Sequence, residues 1–196
     1  MSGGVRHAVA EWGKSIILDP IDLFSFENRQ PEKDFCRASE SGDRVKCSRW
    51  YDPSKFKMDP KTDACPFLDE NERCGIHAFR SGICRLFPLG RLYEEEGFRY
   101  FLLTKECKKE NRGKVKVKKW LGITNLKAYE QYISDWHQFL LTCEESIGEL
   151  EKENIQILTT YILRLFYQTP YEAEDDGSFY QEFYQRREQV RKTLGI

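Results

Sequence analysis

Apolar residues recur every three to four positions in the C-terminal part of the chain, while the N-terminal part carries shorter, interrupted patterns. Leu126, Tyr129, Ile133, Trp136, Leu140 and Cys143 share one helical face, predicting a helix that starts at Thr124-Asn-Leu-Lys and runs to about residue 147. A second helix fits residues 154–168, stopped before Pro170. A third fits residues 178–194, with Phe179, Phe183, Val190 and Leu194 on one face and Asp175-Asp-Gly-Ser as cap and linker. Upstream, Ser15-Ile-Ile-Leu-Asp-Pro-Ile-Asp-Leu-Phe reads as a short strand, a turn and a helix, with Asp19 able to cap and Pro20 suited to the first turn. Residues 27–64 are polar and irregular, punctuated by Pro31, Pro53 and Pro60, and predict a long loop. Residues 65–107 are short and cysteine-punctuated. They include a hairpin with strands near residues 86–93 and 98–104, joined at Glu94-Glu95-Glu96-Gly97. Lys114-Val-Lys-Val-Lys-Lys-Trp alternates basic and apolar residues, which predicts a strand with one cationic face. There is no internal repeat and no low-complexity segment.

Length and composition narrow the class. A chain of 196 residues buries a core without needing disulfides. Its 32% charged and 40% hydrophobic residues are ordinary for a water-soluble protein. The formal net charge of −1 gives no bulk field for nucleic acid or an anionic membrane, so neither is expected as a partner. The lysines of residues 114–119, beside Trp120, would offer a local phosphate-binding face. The plainer reading is an edge strand whose lysines discourage aggregation. No apolar run reaches the ~18 residues of a membrane span. Met1-Ser-Gly-Gly-Val-Arg-His lacks the layout of a secretory signal, and seven cysteines without one point to a reducing cytoplasm. The odd count also argues against a fully paired disulfide framework.

The chemistry lies in the cysteines. Cys65, Cys74 and Cys84 are separated by eight and then nine residues, Cys107 follows, and His77 stands three residues after Cys74. Thiolate and imidazole ligands suit zinc or an iron–sulfur cluster better than magnesium or calcium. The spacing is looser than the CxxC pairs that close most zinc fingers. No Walker A, GxGxxG, HExxH or GxSxG signature is present, and no Ser/His/Asp set can be assembled from His7, His77 and His137.

The string CPFLDENERCGIHAFRSGICRLFPLGR resembles the YkgJ-like cysteine-cluster proteins, whose domain is described as a zinc- or iron-chelating CxxCxxCC domain and also occurs in flagellin lysine methylases. The likeness extends upstream to SIILDPIDLF and downstream through GFRYFLLTKEC and KVKVKKW to DWHQFL, covering roughly residues 13–140. It implies a small irregular α+β cysteine-cluster domain over residues 1–123, with short strands. A helical region over residues 124–196 would pack on it as one unit. The chain departs from the family at its start. The four places of the opening CxxCxxCC fall on Ser2, Val5, Ala8 and Val9, none of which ligates as a thiolate.

The resemblance implies Cys65, Cys74, Cys84 and Cys107 as ligands of zinc or an iron–sulfur cluster, four being enough to close a tetrahedral site. The alternative is that they are buried free thiols acting as small hydrophobes. Cys36 and Cys47 map to no family position and read as incidental thiols or a replacement pair, and Cys143 reads as core. In the family the place of His77 often carries tyrosine, so a structural hydrogen-bonding role is expected for it. Arg80, Arg85 and Arg91 bracket Cys84. They would either lower thiol pKa values or pair with Asp69, Glu70 and Glu72. Three functions follow. The first is a cytoplasmic metal-binding protein with no assignable reaction. The second is a metal-free scaffold or interaction protein that keeps the fold after losing ligand cysteines. The third is an iron–sulfur oxidoreductase-like protein.

Overall fold

Pro20 opens the first helix, α1 (Pro20–Arg29), directly after the short strand β1 (Ser15–Ile17). Proline suits this position because its missing N–H is one that a first helical turn leaves unpaired anyway. Asp22 completes the start: its backbone N–H donates to the Asp19 carbonyl at 2.9 Å, and its Oδ2 accepts the Asp19 N–H at 3.0 Å. The computed structural model describes residues 15–29, 55–59, 61–62, 64–105, 113–147 and 152–195. Strand β2 (Lys55–Lys57) pairs antiparallel with β1, setting Ser15 opposite Lys57, Ile16 opposite Phe56 and Ile17 opposite Lys55. Part of the stretch expected as loop over residues 27–64 is therefore ordered, by α1 at one end and β2 at the other. A three-residue strand is too short to show a period of two, so only its pairing reveals it.

Residues 64–92 follow as tight turns. Asp69 organises one of them: its Oδ1 accepts the N–H groups of Asn71 at 2.9 Å and Arg73 at 2.8 Å. Glu72 there adopts a φ of +59°. The turn brings Leu68 into an antiparallel bridge with Cys74, and the Gly75 N–H donates to the Phe67 carbonyl at 2.8 Å. A 3₁₀ turn (His77–Phe79) leads into the five-residue helix α2 (Gly82–Leu86). Strands β3 (Leu89–Tyr93) and β4 (Phe98–Leu102) form the expected hairpin, with exposed Glu94, Glu95 and Glu96 at its tip and Gly97 at a φ of +82°. Its first strand starts later than the sequence suggests, because Leu86 is 1% exposed and belongs to α2.

The expected strand at Lys114–Trp120 is a correction. Lys114 and Lys116 lie outside any element, and residues from Val117 onward form helix α3 (Val117–Leu121), closed by Gly122 at a φ of +65°. Burial of Leu121 and a 3.1 Å hydrogen bond from Trp120 Nε1 to the Phe87 carbonyl hold this segment, outweighing a five-residue alternation.

The described residues fall into two compact units, those of Met1–Leu92 with Arg99–Thr124 and those of Tyr93–Phe98 with Asn125–Ile196. The first unit centres on Leu18, Phe26, Met58 and Ile76. The second contains α4 (Leu126–Ile147), α5 (Lys152–Leu163) and α6 (Asp176–Leu194), close to the three expected helices. The end of the second expected helix differs. Over Arg164–Gln168 the chain widens into a π-helical turn. Tyr132, Phe166, Phe179 and Phe183 are fully buried in this unit, and the rings of Tyr132 and Phe183 meet edge-on with centroids 4.7 Å apart. Asp175 caps α6 through its Oδ1, which accepts the Ser178 N–H at 2.7 Å, while Ser178 Oγ accepts the Asp175 N–H at 3.1 Å. Together the elements make a small α+β protein, the class expected from the sequence.

Candidate metal centre

Cys65, Cys74 and Cys84 reach one neighbourhood from three local structures. Cys65 precedes the Asp69 turn, Cys74 stands in the bridge that the turn closes, and Cys84 is the third residue of α2. All three are half-buried and pack, with Phe67, Phe79 and Ile83, against the core of Leu18, Phe26, Met58 and Ile76. Their electrostatics show that they feel one another. Burial raises the Cys65 thiol above its ordinary range. The Phe67 N–H opposes this and the Cys74 charge adds to it. Burial likewise pushes Cys84 up to about 11. The Ser81 hydroxyl opposes this shift, and the charges of Cys65, Asp22 and Cys74 add to it. Charging any one sulfur therefore disfavours charging the next, and Cys65 and Cys84 are thiols at neutral pH.

A divalent cation bound to thiolates removes such repulsion and takes the place of the protons. In kind, three soft donors in one half-buried neighbourhood fit zinc or iron. Among the described residues, no group of three or more His, Cys, Asp or Glu side chains is gathered closely enough to hold a metal ion. Cys107 lies outside the described residues, as do Cys36, Cys47, His7 and positions 2, 5, 8 and 9.

The other candidates separate from this neighbourhood. Cys143 is buried in the second unit, as core, and burial raises its thiol to about 11. His77 is exposed, with its Nε2 lying 3.0 Å from Arg80 Nη1, which agrees with a hydrogen-bonding role. The Arg80 charge, then partial burial and Arg85, hold its pKa below the ordinary value. His137 of α4 stacks on Tyr93 with ring centroids 3.6 Å apart, and desolvation lowers its pKa.

Arg85 Nε donates to the Arg80 carbonyl and its Nη2 to the Ala78 carbonyl, both at 3.0 Å. The Arg91 charge acts on Asp19 and Asp22. The Cys65 and Cys84 thiols are raised rather than lowered, and no arginine contributes to either shift.

Asp22 is the residue that sequence reasoning passed over. It is 6% exposed, its charge reaches Cys84, and its Oδ1 accepts the Gly82 N–H at 2.8 Å from 60 residues away. Burial first, and then the Asp19 charge, push its pKa up to about 7. The Gly82 and Asp19 N–H groups and the Arg91 charge oppose that shift. The pattern Asp19-Pro20-Ile21-Asp22 does signal a carboxylate at the third position of a helix. Nothing local signals its second partner.

Residues 24–117 match the family model described as "CxxCxxCC: Putative zinc- or iron-chelating domain". The match is narrower than the stretch of resemblance over residues 13–140. It contains Cys36, Cys47, Cys65, Cys74, Cys84 and Cys107, and leaves out Cys143 and positions 2, 5, 8 and 9. No curated protein and no solved structure matches the chain.

Proposed function

We propose, from the premise that the domain spanning residues 24–117 belongs to the zinc- or iron-chelating family, that this protein binds a thiophilic metal ion through Cys65, Cys74, Cys84 and Cys107. The observation that carries the reading is the convergence of the first three thiols on one core, where the Cys74 charge raises both Cys65 and Cys84 and the Cys65 charge raises Cys84. Residues 1–123 would form the chelating domain and residues 124–196 its helical companion, working in the cytoplasm. No helix among the described residues is long and apolar enough to cross a membrane. The metal supplies positive charge that makes the thiolate forms favourable. The chain supplies the sulfurs, the apolar wall of Phe26, Ile76 and Met58 that limits water, and the Ser81 hydroxyl beside Cys84.

The residue set also supports a second reading, a metal-free scaffold. The same thiols pack against Phe67, Phe79 and Ile83 as small apolar groups do, and the resemblance puts the family's opening cysteines at Ser2, Val5, Ala8 and Val9. Elemental analysis and an absorption spectrum on anaerobically purified protein decide between them. Near-stoichiometric colourless zinc supports a closed thiolate site. Iron with a broad band near ~400 nm supports a cluster and the oxidoreductase-like variant. Protein without metal, whose thiols all titrate as free in denaturant, leaves the scaffold.

A further inference from the structure

The Asp22 carboxylate joins the beginnings of two helices that are remote in sequence. Its Oδ2 accepts the N–H of Asp19, at the start of α1, at 3.0 Å. Its Oδ1 accepts the N–H of Gly82, the first residue of α2, at 2.8 Å. The linkage is buried on both sides, with Asp22 at 6% exposure and Gly82 and Ser81 enclosed. Helix α2 has five residues and cannot hold its own orientation, since so short a helix has almost no intrinsic stability. Something outside it must fix where Cys84, two residues after Gly82, stands.

We propose that Asp22 is a positioning residue for the thiol centre. By seating the first peptide of α2 against α1, it sets the place of Cys84 relative to Cys65 and Cys74. The inference rests on the metal-binding reading for its purpose, but its geometry does not depend on a metal. Asp22 is within electrostatic reach of Cys84, so the carboxylate and the thiol share one neighbourhood. Arg85, within α2, donates to the Arg80 and Ala78 carbonyls and so ties the helix to the turn before it. With α2 tied at its first peptide to Asp22 and through Arg85 to the preceding turn, the Cys84 backbone has little freedom left. A ligand held in this way loses less entropy on binding an ion, which is how outer hydrogen-bonding partners raise metal affinity.

The test uses the full chain with Asp22→Ala and Asp22→Asn, and Phe24→Ala, a buried position of the same helix outside the core on which the thiols pack, as a control. Asparagine keeps a carbonyl oxygen for Gly82 N–H but turns an amide donor toward Asp19 N–H, so it should rescue most of the effect. Without metal, alkylation of individual cysteines followed by mass spectrometry should show Cys84 reacting about tenfold faster in Asp22→Ala, with Cys143 unchanged. With cobalt(II) as probe, Asp22→Ala should bind about 10- to 100-fold more weakly and show an altered ligand-field spectrum. Unchanged Cys84 alkylation in Asp22→Ala overturns the positioning role. So does a Phe24→Ala variant, matched in stability loss, that reproduces both the alkylation and the cobalt effects. A wild-type protein with no thiolate–cobalt band overturns the metal-binding reading instead, and with it the purpose assigned to the positioned thiol.

Discussion

At the scale of single residues, protonation governs what the thiols do. Cys84, with its pKa pushed up to about 11, must lose a proton to ligate, and so must Cys65. Metal affinity should therefore rise with pH, by about tenfold per pH unit for each proton released below the thiol pKa. Chelator competition at two pH values a unit apart measures this directly, and a flat result means that no thiol ionises on binding. Asp22 sets a second dependence with the opposite trend. Its folded-state pKa of about 7 lies above the ordinary carboxylate value of 3.8 given for the unfolded chain. The folded protein thus holds a proton that the unfolded chain has released, and stability falls as pH rises between those values. Below the unfolded value the contribution is fully present. Near pH 7 it is spent. The slope is at most about 1.4 kcal/mol per pH unit. Denaturation of wild type against Asp22→Asn at pH 5 and pH 7.5 should show the wild type losing ground over that interval, and equal changes in both proteins would contradict the assignment.

At the scale of elements, the π-helical turn Arg164–Gln168 is held by one guanidinium. Arg186, 6% exposed, donates to the carbonyls of Leu165 and Pro170, and to that of Thr169 at 2.7 Å. It also pairs with Glu182 and lies over the Tyr171 ring at 3.7 Å. A widened turn leaves carbonyls that the regular helical ladder does not pair, and Arg186 satisfies them. Arg186→Ala strands these part-buried carbonyls and takes the cation from Glu182, which is 23% exposed and keeps the Glu172 N–H. It should cost about 3–5 kcal/mol of unfolding free energy in chemical denaturation, whereas a loss under 1 kcal/mol would show the turn to be self-supporting. Phe183, fully buried among Tyr132, Trp136 and Phe166, should lose about 3–5 kcal/mol on Phe183→Ala, measured in the same way.

At the scale of the whole molecule, the division into two units places the thiol neighbourhood in one and the aromatic helical core in the other. Bound metal adds its binding free energy to the part that holds it. Stripping metal from holoprotein should therefore raise amide hydrogen exchange across residues 64–92 and leave residues 126–147 and 176–194 almost unchanged. Uniform loss of protection along the chain would mean that the ion supports the entire molecule.

What the sequence determined by itself was whatever repeats over a long enough window or depends on residue type alone. The helices of the second unit were legible because a period of 3.6 held for three turns or more, and Asp175 marks the start of the last one. The β3–β4 hairpin was legible from its Glu-Glu-Glu-Gly turn, and the likeness to a chelating family from the cysteine string of residues 65–91. Tertiary structure decided the short elements. Strand β2 exists because β1 pairs with it, α3 is a helix because Leu121 and Trp120 are anchored, and α2 takes Leu86 from the hairpin. In each case three to five residues carry too little local preference to outweigh contacts made elsewhere. The convergence of Cys65, Cys74 and Cys84, and the bond from Asp22 to Gly82, belong to the same class. Local sequence preference acts over a turn or two, whereas a hydrogen bond spanning 60 residues forms only when packing has already brought its ends together.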